Sequence, residues 1–168
     1  MTIDTPISSA LQRLTELAPA GYALGFHINF TTPRFMFQTY PKAWRNAYGR
    51  KGYLMADPVA AWGFENVGIC DWAALADPKG VVAEAATFGL QFGIACASHE
   101  FDSRSIGGLA RSDRPFTEQE IEEIRWLFEL IHRGTHDSAA LPSELQRILR
   151  QASILASQFP LLETQEPA

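Results

Sequence analysis

The stretch FGIACASHEFDSRSIGGLAR, Phe92 to Arg111, decides the fold. Phe92 to Glu100 reads as a strand, Asp102-Ser103-Arg104-Ser105 as a hairpin turn, and Ile106 to Arg111 as the returning strand. A short turn of this kind joins antiparallel strands, because parallel neighbours need a crossover of about a dozen residues or more. A second pair lies nearer the N-terminus. Tyr22 to Phe30 alternates and is rich in aromatics, Thr31-Thr32-Pro33 turns, and Arg34 to Thr39 returns. Gly68 to Leu75 adds a short extended segment that carries Trp72.

Helical periodicity fills the remainder. Thr5 caps and Pro6 opens a first helix with Ile7, Leu11, Leu14 and Leu17 at helical spacing. Pro41 starts another, closed by Gly52, and Asp57-Pro58 reads as a cap and first turn of a short helix carrying Trp62. Val81 to Gly89 is a helix closed by glycine. Thr117-Glu118-Gln119-Glu120 is a capping box that opens a helix through Arg133, with Ile121, Ile124, Phe128 and Ile131 on one face. After a break at Gly134 to Ser138, apolar residues recur from Leu141, Leu145, Ile148 and Leu149 through Ala152, Leu155 and Ala156 to Phe159, before Pro160. The order predicts an α+β fold: an α/β/α sandwich around a central, mainly antiparallel sheet of about five strands, with a C-terminal amphipathic helix. Residues 1–136 form the expected domain and 137–168 a helical tail.

Composition agrees with that size. The 168 residues are 46% hydrophobic and 20% charged, enough for one self-sufficient core and unlike a disordered chain. A net charge of −5 argues against a nucleic-acid binder. No basic-then-apolar leader follows Met1, and no apolar run approaches the ~20 residues of a membrane span, so a cytoplasmic protein without membrane partners is expected. Cys70 and Cys96 read as buried thiols of a reducing compartment, with a single disulfide as the alternative.

The residues for catalysis are missing. There is no G-x-S-x-G elbow and no cysteine in a catalytic setting. His27, His99, His132 and His136 are scattered; Gly134 interrupts the i, i+4 pair His132/His136, which reads as solvated at a helix end rather than as a metal pair. Glu118, Glu120, Glu122 and Glu123 suit the positive end of a helix. Lys42, Arg45, Arg50 and Lys51 read as the snorkelling outer face of a helix, with a nucleic-acid patch as the alternative. Neither metal nor cofactor is expected.

The informative pattern is Tyr40, Trp44 and Tyr48, one stripe at i, i+4 and i+8, with Asp57 just beyond it and Trp72 further on. Each stripe residue joins an apolar body to a polar tip. Such a stripe packs a core or lines a pocket. A carboxylate beside it needs water or a donor, and a ligand amide N–H is a suitable one. Phenol O–H and indole N–H groups can meanwhile donate to ligand carbonyls.

These residues resemble a known family. Tyr40-Pro41-x-x-Trp44-x-x-x-Tyr48, Gly52-Tyr53, Asp57-Pro58-Val59, Trp72, Glu84-Ala85, Gly89-Leu90 and Gly93 are similar to the autoinducer-binding domain of LuxR-type quorum-sensing regulators, over about Tyr22 to Arg133. The resemblance implies a pocket for an N-acyl-homoserine lactone between the sheet and one helical layer. In it Trp44 would donate to the lactone carbonyl, Asp57 would accept from the amide N–H, and Tyr40 would donate to the acyl carbonyl. Tyr48 and Trp72 would wall the pocket. Two departures accompany the likeness. Ala95 and Ala110 stand where several members carry ligand-facing hydroxyls, with Ser98 and Ser112 close by. The 35 residues after Arg133 hold only two basic residues, Arg147 and Arg150, too few for the family's usual helix-turn-helix.

The expectation is therefore a non-enzymatic sensor, without direct nucleic-acid contact. It would act by sequestering its signal or by pairing, as homodimer or with a full-length regulator. The alternatives are a ligand-independent dimerisation or inhibitory module working through the last helices, and the sensor fragment of a DNA-binding regulator.

Overall fold

A computed structural model describes residues 6–137 and 141–158. The cap at Thr5, the end of the break at Ser138, and Phe159 and Pro160 lie outside the described residues, as do the side chains of Ala152, Leu155 and Ala156. Five strands, β1 (Gly21–Asn29), β2 (Thr32–Gln38), β3 (Gly68–Asp71), β4 (Phe92–Glu100) and β5 (Ser103–Arg111), form one sheet in the order β2-β1-β5-β4-β3. Every neighbouring pair is antiparallel. The helices α1 (Pro6–Leu17), α5 (Glu118–Gly134) and α6 (Ser143–Gln158) cover one face, and α2 (Lys42–Arg50), α3 (Pro58–Glu65) and α4 (Val81–Thr87) the other. The α/β/α sandwich with a five-stranded antiparallel sheet stands as read from the sequence.

Alternation along the strands sorts side chains between two cores. Leu24, Phe26, Cys96 and Leu109 pack with Leu14, Ile124, Phe128 and Ile131 under α1 and α5. Leu145 and Leu149 of α6 are buried in the same core, so the described apolar face of the last helix is spent on its own domain. Ala95 and Ala110 belong to the opposite cluster, with Trp44, Val59 and Trp72. Both alanines thus face the α2–α4 side, and Ser98, in phase with Ile94 and Cys96, faces the other.

Three local readings change. The β4–β5 turn is only Phe101-Asp102, both left-handed at φ 58° and 54°, and Ser103 to Ser105 already pair in the ladder. Their polarity reads as a turn in sequence, but Ser105 is buried because its Oγ has partners: it lies 2.6 Å from His132 Nδ1 and accepts the His27 N–H at 3.0 Å. Pro33 lies inside β2 rather than in the turn, tolerated because β2 is an edge strand. Three of the four histidines, His27, His132 and His136, also gather instead of scattering. α5 continues to Gly134, His132 is fully buried, and its ring centroid lies 4.7 Å from that of His27, on the α1–α5 side of the sheet.

A break in register between Gly25 and Ile28 explains how His27 arrives there. His27 adopts φ 58°, so Phe26 and His27 both reach α5 while Ile28 returns to the opposite face. Thr135 Oγ1 donates to the Ile131 carbonyl at 2.7 Å, leaving its lone pair for His27 Nε2 at 2.9 Å, and Ser103 Oγ meets Nδ1 at 2.7 Å. His27 is held as a neutral Nε2–H imidazole. Burial, with His132, Arg34 and His136 nearby, pushes its pKa down to about 3.

Candidate ligand-binding site

Between the sheet and α2–α4 lies a cavity of about 130 Å³. That is close to the volume of an engineered apolar cavity that takes up benzene. All five residues singled out in the sequence, Tyr40, Trp44, Tyr48, Asp57 and Trp72, line it.

Each arrives there for a local reason. Pro41 has ψ 139°, in the extended region, and leads into α2, whose buried side carries Trp44 and Ala47. Trp44 packs against Tyr48 at 5.7 Å between ring centroids, and also against Phe88 at 5.5 Å and Tyr53 at 6.1 Å. Asp57 caps α3 with Pro58 in the first turn: Val59 N–H donates to Oδ1 at 2.8 Å. Its other oxygen accepts from the Tyr48 hydroxyl at 2.8 Å. Trp72 opens a 3-10 turn after β3, where Asp71 accepts the Ala73 N–H.

Beneath Trp72 and Tyr40 the sheet is bare. Gly93 pairs with Ala110 and Ala95 with Gly108 across β4 and β5. A Cβ at Gly93 would fall 2.0 Å from Trp72 Cδ2, and one at Gly108 would fall 2.9 Å from the Tyr40 hydroxyl oxygen. Large side chains from the helical layer thus rest directly on backbone, and the glycines are required for that approach.

Electrostatically the cavity holds one carboxylate among phenols and indoles. Burial raises the Asp57 pKa above its ordinary value, while the bonds from Tyr48 and from the Val59 and Ala60 N–H groups oppose the rise. The Tyr40 and Tyr48 hydroxyls are held well above the usual phenol range by burial first and by Asp57 second. Both phenols therefore stay protonated donors at neutral pH, beside an oxygen-rich acceptor. Among the described residues no group of three or more histidine, cysteine or carboxylate side chains is arranged to hold a metal, and no helix is long and apolar enough to cross a membrane.

Sequence reasoning missed part of the site. Arg45, read as outward-facing, lines the cavity and donates through Nε to the Tyr40 carbonyl at 3.1 Å. Phe88 and Tyr53 flank Trp44, and Tyr53 donates to Glu84 at 2.6 Å. Gly52-Tyr53 and Glu84 stood among the motif residues, so the signal was present without its meaning.

The geometry defines a ligand-binding domain with a polar head site and an apolar remainder. The chain belongs to the autoinducer-binding domain family, whose model matches residues 16–134. It is 30% identical over 104 residues to the transcriptional activator protein SolR of Ralstonia nicotianae, an alignment covering 58% of this chain and 44% of that protein. The chain thus spans less than half the length of this relative. Its fold is also similar to that of CepR2, an N-acylhomoserine lactone dependent LuxR-family transcription factor from Burkholderia cenocepacia: TM-score 0.52, 18% identity, 79% of this chain and 92% of that one. SdiA in complex with octanoyl-rac-glycerol gives TM-score 0.56 at 15% identity, over 96% of this chain and 79% of that one.

Proposed function

We infer that this domain is a non-enzymatic sensor for an N-acyl-homoserine lactone or a similar small amide signal. The observation that carries the reading is Asp57: a buried carboxylate fixed by Tyr48 and by the α3 N-terminus, on the wall of a cavity shared with Tyr40, Trp44 and Trp72. A carboxylate oxygen there accepts a ligand N–H, and the surrounding indole and phenol donors suit ligand carbonyls. In this assignment Asp57 receives the amide N–H, Trp44 donates to the head-group carbonyl and Tyr40 to the acyl carbonyl. Tyr48 holds Asp57 in place and, with Trp72, walls the site. The domain would act in the cytoplasm, by sequestering the signal or by pairing with a full-length regulator, and would need no cofactor. Burial of Leu145 and Leu149 within the domain weighs against a module that works only by dimerising through the last helix.

A thermal-shift screen over acyl-homoserine lactones of varied chain length, with a monoacylglycerol alongside, tests this. Ligand at ~100 times its dissociation constant adds about 2.7 kcal/mol of stability. Asp57→Asn keeps the cap through its oxygen but turns an NH2 group toward Tyr48 or the ligand. It should weaken lactone binding about 10- to 100-fold, the range for a hydrogen bond to a charged group. Trp44→Phe should also lower affinity. A folded protein stabilised by none of these compounds would sink the reading.

A further inference from the structure

Among the described residues, buried side-chain nitrogen or oxygen atoms without a hydrogen-bond partner occur at two places. One is Nε of Arg125, whose side chain is 43% exposed and pairs through its other end with Glu122. The other is Nε1 of Trp72, a residue only 6% exposed and part of the cavity wall. A buried indole N–H normally finds an acceptor, and leaving one unmade costs the desolvation of the group.

The placement of the ring shows which way this N–H is turned. The fused bond of the indole and Cε3 lie flat on Gly93, where a Cβ would meet Cδ2, Cε3 and Cε2 at 2.0, 2.1 and 2.4 Å. The opposite edge reaches across to β5: Cζ2 would stand 3.4 Å from a Cβ on Gly108, the glycine over which the Tyr40 hydroxyl also lies. Nε1 and Cζ2 are both bonded to Cε2, so the N–H leaves the ring by that edge. Gly108 and its partner Ala95 have nothing there to accept a hydrogen bond with a side chain, and their backbone groups belong to the β4–β5 ladder. Tyr48 and the helix cap already occupy the positions of Asp57 nearest to them.

We propose that Trp72 is a hydrogen-bond donor to the ligand and not only a wall, so that the ligand places an acceptor oxygen beside Gly108. This rests on the sensor reading above and narrows it. The ligand head then carries one donor, for Asp57, and two oxygen acceptors on its ring: one toward Trp44 and one toward Trp72. An acyl-homoserine lactone has oxygens on its ring as well as on its amide. An N-acyl cyclopentylamide of the same chain keeps the amide and lacks both ring oxygens.

The test uses the full chain, labelled with 15N at tryptophan, and the best-binding lactone of the screen with its cyclopentylamide analogue. Trp72→Phe identifies the Trp72 indole signal by its loss. On lactone titration the Trp72 indole proton should move downfield and exchange more slowly with solvent. Trp72→Phe should weaken lactone binding about tenfold and weaken the analogue distinctly less, since phenylalanine removes the donor and some bulk alike for both compounds. Saturation by the lactone with an unmoved Trp72 indole proton, or an equal loss for both compounds in Trp72→Phe, overturns the proposal and leaves the sensor reading standing. If Trp72→Phe fails to fold, the titration of the wild-type chain still decides, its four indole signals being sorted by Trp44→Phe, Trp62→Phe and Trp126→Phe. Absence of any lactone binding to the wild-type protein defeats both readings.

Discussion

The two faces of this sheet are built from the same strands by opposite rules. Toward α1, α5 and α6 the strands send large side chains, Leu24, Phe26 and Leu109, which meet large helical ones and leave each other no room. Toward α2, α3 and α4 the central strands present Gly93, Ala95, Gly108 and Ala110, and the bulk comes from the helical layer as Tyr40, Trp44, Tyr48 and Trp72. Packing density is the same requirement on both sides. What differs is whether the gaps are filled by neighbours on the sheet or left open as a cavity. A cavity arises where rigid aromatics stand on a flat floor, since rings of fixed shape cannot collapse into the space between them. The filled face carries stability, and the open face is the one proposed to carry recognition.

The sharpest way to break that division is to hollow the filled face. Phe128 is 1% exposed and its ring lies 5.0 Å from that of Phe26. Phe128→Ala should cost about 3–5 kcal/mol of unfolding free energy, measured by urea denaturation. Where the protein still folds, the dissociation constant for its ligand should stay within about twofold of wild type. A comparable loss of stability from Asp57→Asn would contradict the assignment of roles to the two faces.

Acid should separate the faces next, because their buried titratable groups are shifted in opposite senses. His27 and His132 are both held below the ordinary imidazole value, chiefly by burial. A depressed native pKa means that the unfolded chain takes up protons first. Stability is therefore whole above about pH 6.5 and falls as pH drops from there toward the native value, about 3 for His27. By pH 5 His27 alone accounts for at most about 2 kcal/mol. Asp57 is shifted upward, so its burial penalises the native state as pH rises above the unfolded value of 3.8 and is relieved in acid. Unfolding curves at pH 7.5 and 5 should show wild type losing stability on acidification. Asp57→Asn should be at least as stable as wild type at pH 7.5, with any advantage shrinking toward pH 4. A wild-type chain indifferent to acid would show that the histidines are not neutral in the fold.

How far these two faces were legible beforehand depends on what each residue reports locally. Tyr40, Trp44 and Tyr48 announce themselves through helical spacing, and Asp57 through the cap chemistry of Asp-Pro, so the polar centre of the cavity was readable from Tyr40 to Asp57. The hairpins gave the antiparallel sheet in the same way. His27 was not readable, because a single register break between Gly25 and Ile28 reverses its face while the sequence goes on alternating. Arg45 and Phe88 escaped for a different reason. Their partners, the Tyr40 carbonyl and the Trp44 ring, depend on how separate elements meet in space. Ser103 and Ser105 look like turn residues until the buried histidines that satisfy them are in view.

The smallest effect belongs to the surface of the open face. Lys51, just after α2, meets both oxygens of Glu84 on α4 at 2.8 Å, and the Tyr53 hydroxyl donates to the same carboxylate at 2.6 Å. Those bonds hold Glu84 below the usual carboxylate range. They tie together parts of the helical layer that lines the cavity through Leu54 and Val81. An exposed pair of this kind contributes little to equilibrium stability. Its place across the layer should instead slow ligand release, if the two elements it joins have to part for the ligand to leave. Glu84→Gln should leave the unfolding midpoint nearly unchanged and speed ligand dissociation, by at most about fivefold. Wild type should approach the variant at ~1 M salt, where screening acts within about 3 Å. Stopped-flow displacement measures the rate. If the variant and wild type dissociate at the same rate in low salt, the tie does not restrain the open face, and the aromatic contacts of Trp44 with Phe88 and Tyr53 hold the layer closed unaided.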